Sequence, residues 1–282
     1  MLAATRSLLT RLTPGEIDRL KIFGALLMVI DHIDGIWLLR GKVEPDLMLN
    51  LFGGAEGLDT ARLLMWLLGR AVYPLFCLVL ALHLAAGRLR LDGMVRLLLI
   101  GIILQPLFWW ARREARLVLD PELGLFALSV PFIVFVKLGL AGLIAIGFAR
   151  LSRVEANLLA AVACIIGVTA PHALNIVEYL VPGVLLPAFI GRWLMTRDPF
   201  FALWSLLALI GCNVSLSNWT SMATMAPGLL AWLFAGAGLV GSIWLARAIP
   251  GERRFMGRWS FYIFYPGHYL ILTALGLWLF RP

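Results

Sequence analysis

The chain has 282 residues, 61% of them hydrophobic and 14% charged, with a mean hydropathy of +0.91. That balance excludes a soluble globular domain and points to a polytopic membrane protein. The net charge of +8 would raise nucleic acid as a partner for a soluble protein. Here the basic residues gather at the ends of apolar runs, which is a topology signal, and no nucleic acid is expected.

Residues 1–19 place Arg6, Arg11 and Arg19 among leucines, the pattern of a surface-lying amphipathic helix on the cytoplasmic side. Thr13-Pro14-Gly15-Glu16 then reads as a capping box with proline at the first helical position, so span 1 starts near residue 14 and crosses by about 39. Residues 40–61 read as an acidic loop. Span 2 covers about 62–86, and span 3 about 93–110, ending in the interfacial aromatics Phe108-Trp109-Trp110. A mixed-charge loop at 111–122 precedes span 4 at about 123–149. Spans 5 to 9 follow at about 155–170, 174–195, 199–213, 224–247 and 259–280. Pro171-His172 and residues 213–223 are uncharged turns.

The expected fold is therefore all-α: one integral-membrane domain over 1–282, a bundle of about nine transmembrane helices in the lipid bilayer. Arginine clusters at 88–96, 150–153, 192–197 and 247–258 share one side with the N-terminal arginines. The positive-inside rule makes that side cytoplasmic, with the N-terminus inside and the C-terminus outside, in the periplasm. Cys77, Cys164 and Cys212 sit inside apolar runs and read as packing residues, and no Cys/His spacing suggests a metal. The first apolar run carries acids and lacks a small-residue cleavage site, so no cleaved signal is expected.

Polar groups inside the spans are the candidate site. Residues 20–39 carry Asp31, His32 and Asp34, and charged groups at membrane depth are costly and face cavities. Lys21 precedes His32 by eleven residues, close to three turns, which puts it on the same stripe about 16 Å nearer the helix start. With the topology above, Asp31, His32, Arg70, Lys137 and His268 come to a common depth near the midplane, while Glu178 is shallower, near the outer face. One shared polar cavity is the functional reading. The structural alternative is a set of separate ion pairs, such as Asp31–Arg70 holding spans 1 and 2 together. Tyr262, Tyr265 and Tyr269 form a stripe in span 9 beside His268, and Pro266 breaks the helical ladder there.

Several segments carry a resemblance. Leu27-Met28-Val29-Ile30-Asp31-His32-Ile33, preceded by Lys21, resembles the opening of the TraX family of plasmid conjugation proteins. Gly69-Arg70-Ala71-Val72-Tyr73-Pro74-Leu75-Phe76, Glu178-Tyr179 with Gly183-Val184, and Phe264-Tyr265-Pro266-Gly267-His268 resemble that family's later segments in the same order. The resemblance implies an inner-membrane N-acetyltransferase that moves an acetyl group from acetyl-CoA to the N-terminal amine of a conjugative pilin subunit. It also implies a relation to broader transmembrane acyltransferases, which place a histidine in the first span after a basic residue.

Acyl transfer from a thioester to an amine needs a base, donors for the oxyanion and cations for the donor's phosphates. The catalytic candidates are His32, Asp31 and His268, with His32 as base. Asp31 diverges from its neighbour's ring by about 100° around the helix, which leaves Asp34 or a carboxylate from another span to orient the imidazole. Arg70, Lys137, Lys21, Asp34, Glu178 and Tyr265 are the candidates for binding substrate and acyl donor. The arginine clusters are docking candidates for CoA phosphates, though ordinary topology signalling explains most of them. An acyl-histidine route and direct transfer both remain open. Two other functions fit the same residues: a non-acetylating pilin-assembly factor, and a proton-coupled transporter, which ranks last because no repeat-related halves are seen.

Overall fold

A computed structural model describes residues 12–33, 45–117, 134–169, 180–212, 222–257 and 259–279. Among these the chain forms eleven helices and no strand. They are α1 (Pro14–Ile33), α2 (Pro45–Phe52), α3 (Ala55–Gly69), α4 (Val72–Ala85), α5 (Leu91–Leu117) and α6 (Val134–Phe148). After them come α7 (Arg153–Thr169), α8 (Leu180–Thr196), α9 (Pro199–Gly211), α10 (Met222–Ala248) and α11 (Ser260–Leu279). Asp34, Glu178 and the Pro171-His172 turn lie outside the described residues.

Local chemistry sets several of these boundaries. The capping box at the start of α1 is formed: Thr13 N–H donates to Glu16 Oε2 at 2.6 Å, and Glu16 N–H to Thr13 Oγ1 at 3.2 Å. Ser152 and Glu155 repeat the device at the start of α7, at 3.3 and 2.7 Å. Asp198 caps α9 by accepting from Phe200 N–H, with Pro199 at the first helical position.

Two predicted loops are corrected. The acidic stretch at 40–61 contains α2 and the first turns of α3, so the second apolar segment begins near Ala55 rather than 62. Likewise α5 runs on to Leu117, through the first half of the loop predicted at 111–122. Residues 111–117, ARREARL, are strong helix formers, and their local propensity outweighs the charge that suggested a loop. Within the predicted second span, the helix breaks at Arg70-Ala71. Pro74 has no N–H to offer the Arg70 carbonyl four residues back, and its ring crowds that carbonyl. The chain tightens there into i→i−3 bonds, Arg70 N–H to Leu67 O and Ala71 N–H to Leu68 O, both 3.2 Å.

Helix α4 sits at the centre. All its residues from Val72 to Leu82 are buried, and α1, α6, α8 and α10 pack around it. Gly24 brings α1 close: a Cβ there would lie 3.0 Å from the Phe76 ring. Tyr73, fully buried, donates from its hydroxyl to Gly183 O at 3.2 Å and ties α4 to α8. Arg192 of α8 reaches across to cap the end of α6, donating to Ala149 O at 2.7 Å and Leu151 O at 2.6 Å.

Among the described residues, two stretches are long and apolar enough to cross a membrane: Ala55–Ala85, 31 residues at mean hydropathy 2.0, and Leu229–Ala248, 20 residues at 1.9. Val134–Phe148 and Pro199–Gly211 are shorter apolar helices. The outer faces are apolar as well, with Ile103 74% and Trp244 68% exposed. Such continuous apolar surface is costly in water and costs nothing against lipid chains.

Candidate active site

Helices α1 and α11 bring two histidines from opposite ends of the chain into contact. His32 Nδ1 lies 2.8 Å from His268 Nε2. The ring planes differ by 3° and the centroids are 5.1 Å apart, the spacing of two imidazoles bonded end to end in one plane. His268 Nδ1 lies 3.0 Å from the Phe264 carbonyl oxygen, one turn back on α11.

These two bonds set the tautomers. A carbonyl oxygen only accepts, so His268 Nδ1 carries the hydrogen and, in the neutral ring, Nε2 is the acceptor. His32 must then donate from Nδ1, and its basic lone pair is on Nε2. The backbone of α11 thus orients His32 through His268, the role a carboxylate plays behind a catalytic histidine elsewhere. The Tyr269 ring meets His32 edge-on at 4.9 Å, and Tyr265 does so at 6.3 Å. Both tyrosines and His268 are buried.

Asp31 turns away from His32. Its carboxylate pairs with Arg70 Nη2 at 3.8 Å, joining α1 to the break between α3 and α4. The Arg70 guanidinium also sits 5.0 Å over the Trp66 ring. Gly69 makes this approach possible: a Cβ at that position would collide with the Asp31 carboxylate. The ion pair named as the structural alternative is therefore formed, and it lies one residue along α1 from the histidine pair.

A cavity of about 540 Å³ opens at the end of the bundle where α1, α5 and α11 begin. Its walls carry Lys21, Arg88, Arg90, Arg96 and Arg254 against the carboxylates of Asp18 and Asp92. Five cations facing two acids suit a ligand with several negative charges. Asp92 pairs with Arg90 at 3.0 Å and Arg96 at 3.7 Å. His83, whose Nδ1 donates to Val79 O at 2.7 Å, also lines the wall.

Phe76, Phe261 and Tyr262 also line this cavity. From there aromatic rings run toward the histidines: Phe76–Phe261 at 4.8 Å, Phe261–Phe135 at 5.4 Å, Phe135–Tyr265 at 4.6 Å and Tyr265–His268 at 5.5 Å. Lys21 marks the cavity end of α1 and His32 the other, about 16 Å apart along the helix axis.

The structure brings His32, His268 and Tyr265 together and sets Asp31 with Arg70 beside them. Lys21 is at the cavity, where Asp18 Oδ1 holds its Nζ at 3.0 Å. Lys137 is buried in α6, two residues from Phe135. Sequence reasoning passed over Asp18, and it named Arg254 only as part of the 247–258 arginine cluster, a docking candidate for CoA phosphates. Asp18 carried a signal, an acid three residues before Lys21 on one helix face. What the cluster did not reveal is that Arg254 faces Asp18, because that neighbour comes from the other end of the chain.

The family model described as TraX protein matches residues 16–276. No curated protein and no solved structure matches the chain.

Proposed function

The chain belongs to the TraX family, and on that footing we propose that it is an inner-membrane acetyltransferase, taking the acetyl group from acetyl-CoA and placing it on the N-terminal amine of a conjugative pilin subunit. The observation that carries this reading is the His32–His268 pair, with its basic nitrogen fixed at His32 Nε2, inward of a cationic cavity.

The residues fit the donor. Lys21, Arg88, Arg96 and Arg254 would hold its phosphates at the aqueous edge. The extended arm would follow the aromatic file over the roughly 16 Å that separates Lys21 from His32. A compact donor such as acetyl phosphate could not occupy both ends. Bound acetyl-CoA supplies an activated thioester carbonyl and a thiolate leaving group.

His32 Nε2 takes the proton that the amine releases as it attacks that carbonyl. His268 keeps His32 in the productive tautomer and shares the positive charge that appears. Arg70 and Lys137 provide positive charge for the developing oxyanion, and Asp31 holds Arg70 in place. Direct transfer requires no covalent enzyme intermediate and uses each of these groups once. Nine spans, a cytoplasmic N-terminus and a periplasmic C-terminus complete the proposal: the cavity then opens to cytoplasmic acetyl-CoA and the histidines lie near the midplane, within reach of a membrane-embedded pilin.

Intact mass of the cognate pilin tests this. Cells lacking the protein, or carrying His32→Ala, should yield pilin lighter by about 42 Da, one acetyl group. Unchanged pilin mass in the deletion strain, with pilus assembly impaired, overturns the transferase reading in favour of an assembly factor.

A further inference from the structure

The segment between α10 and α11 folds back as a strap over the start of α1. Gly251 has φ 120°, a conformation open to glycine, and lets the strap turn. Gly15 N–H donates to Glu252 O at 3.0 Å, and a Cβ on Gly15 would lie 2.7 Å from Gly251 O. Arg254, Met256 and Gly257 of the strap form one wall of the cationic cavity.

Asp18 is where strap and cavity meet. It is 1% exposed. Oδ2 accepts from Phe255 N–H at 3.1 Å and Met256 N–H at 3.0 Å, with Arg254 Nε at 4.0 Å. Oδ1 accepts from Lys21 Nζ at 3.0 Å. One buried carboxylate therefore holds Lys21 directly and, through the backbone N–H groups of Phe255 and Met256, the strap that carries Arg254.

We propose that Asp18 is the positioning residue of the donor cavity, aligning Lys21 and Arg254 for the phosphates of acetyl-CoA. The inference rests on the acetyl-CoA reading above. Removing an acid would ordinarily favour an anionic ligand. Here the geometry opposes that, because asparagine offers one acceptor oxygen where the carboxylate offers two. In either amide orientation a donor faces a donor, and either Lys21 or the strap loses its anchor.

The test is a steady-state cycle in the full-length protein. Asp18→Asn should raise KM for acetyl-CoA about tenfold, the loss of one charge-assisted contact, while kcat at saturating donor and KM for the pilin substrate stay within about twofold. In a background of Lys21→Gln and Arg254→Gln, adding Asp18→Asn should raise the donor KM no further, since Asp18 acts through those two cations. A parallel measurement needs no turnover: coenzyme A should raise the thermal midpoint of the natural protein and raise it less in Asp18→Asn. If Asp18→Asn does not accumulate, Asp18→Glu, which keeps both oxygens one methylene further out, takes its place in the cycle.

An unchanged or lower donor KM, a collapse of kcat, or a further rise when Asp18→Asn is added to the Lys21→Gln, Arg254→Gln background overturns the positioning role. A natural protein that neither transfers acetyl groups nor responds to coenzyme A overturns the acetyl-CoA reading itself. A natural protein that responds, with Asp18→Asn responding identically, overturns only the role of Asp18.

Discussion

His32 and His268 are 236 residues apart in the chain and 2.8 Å apart in space, and each needs the other. His268 alone is a helix histidine bonded to its own backbone. His32 alone is an imidazole free to choose either tautomer. Joined, they give a base with one defined nitrogen. His32→Ala should therefore lower acetyl transfer by about 10²–10⁴-fold, the usual worth of a positioned base. His268→Phe keeps an aromatic ring but removes the acceptor that fixes the tautomer, so it should lower kcat by at least about tenfold while leaving both KM values close to natural.

At the level of elements, the break between α3 and α4 is the most informative feature. Pro74 interrupts the ladder at Arg70, and Gly69 beside it admits the Asp31 carboxylate. A continuous helix with side chains at both positions would close that space. Gly69→Ala forces the acid out or α1 away, and overpacking of this kind costs about 1–3 kcal/mol. Its expected signature is a lower thermal midpoint in detergent and reduced activity together, because Asp31 is adjacent to His32. A variant as stable and active as the natural protein would show that Asp31 can settle elsewhere without consequence. The strap between α10 and α11 is a second such element, its place set by Asp18 and Gly15 of α1 rather than by its own residues.

For the whole molecule, basic residues from distant loops gather at two places among the described residues. The start of α1, the α4–α5 turn and the α10–α11 strap surround one cavity, and Arg153, Arg192 and Asp198 come together at a second, smaller one. The proposed orientation puts both on the cytoplasmic side. A phosphatase reporter that works only in the periplasm should be active when fused after Pro282 and inactive when fused at Ser152 or Arg197. The reverse pattern would turn the cavity outward, away from acetyl-CoA, and sink the proposed donor route.

Composition and hydropathy determined by themselves that the chain is helical and apolar on the outside, since a backbone surrounded by lipid must bond to itself. The capping box at Thr13 and Glu16 was equally legible, because both partners lie within one turn. Polar residues inside apolar runs made Asp31, His32, Arg70, Lys137 and His268 candidates, because charge there is costly wherever its partner turns out to be. Pairing is another matter. Which histidine meets which, that Asp31 chooses Arg70 over its neighbour, and that Asp18 joins Lys21 to Arg254 depend on how α1 lies against α3, α4 and α11. Those contacts bridge up to 238 residues, and no local periodicity carries information across that distance; only the packing of the bundle does.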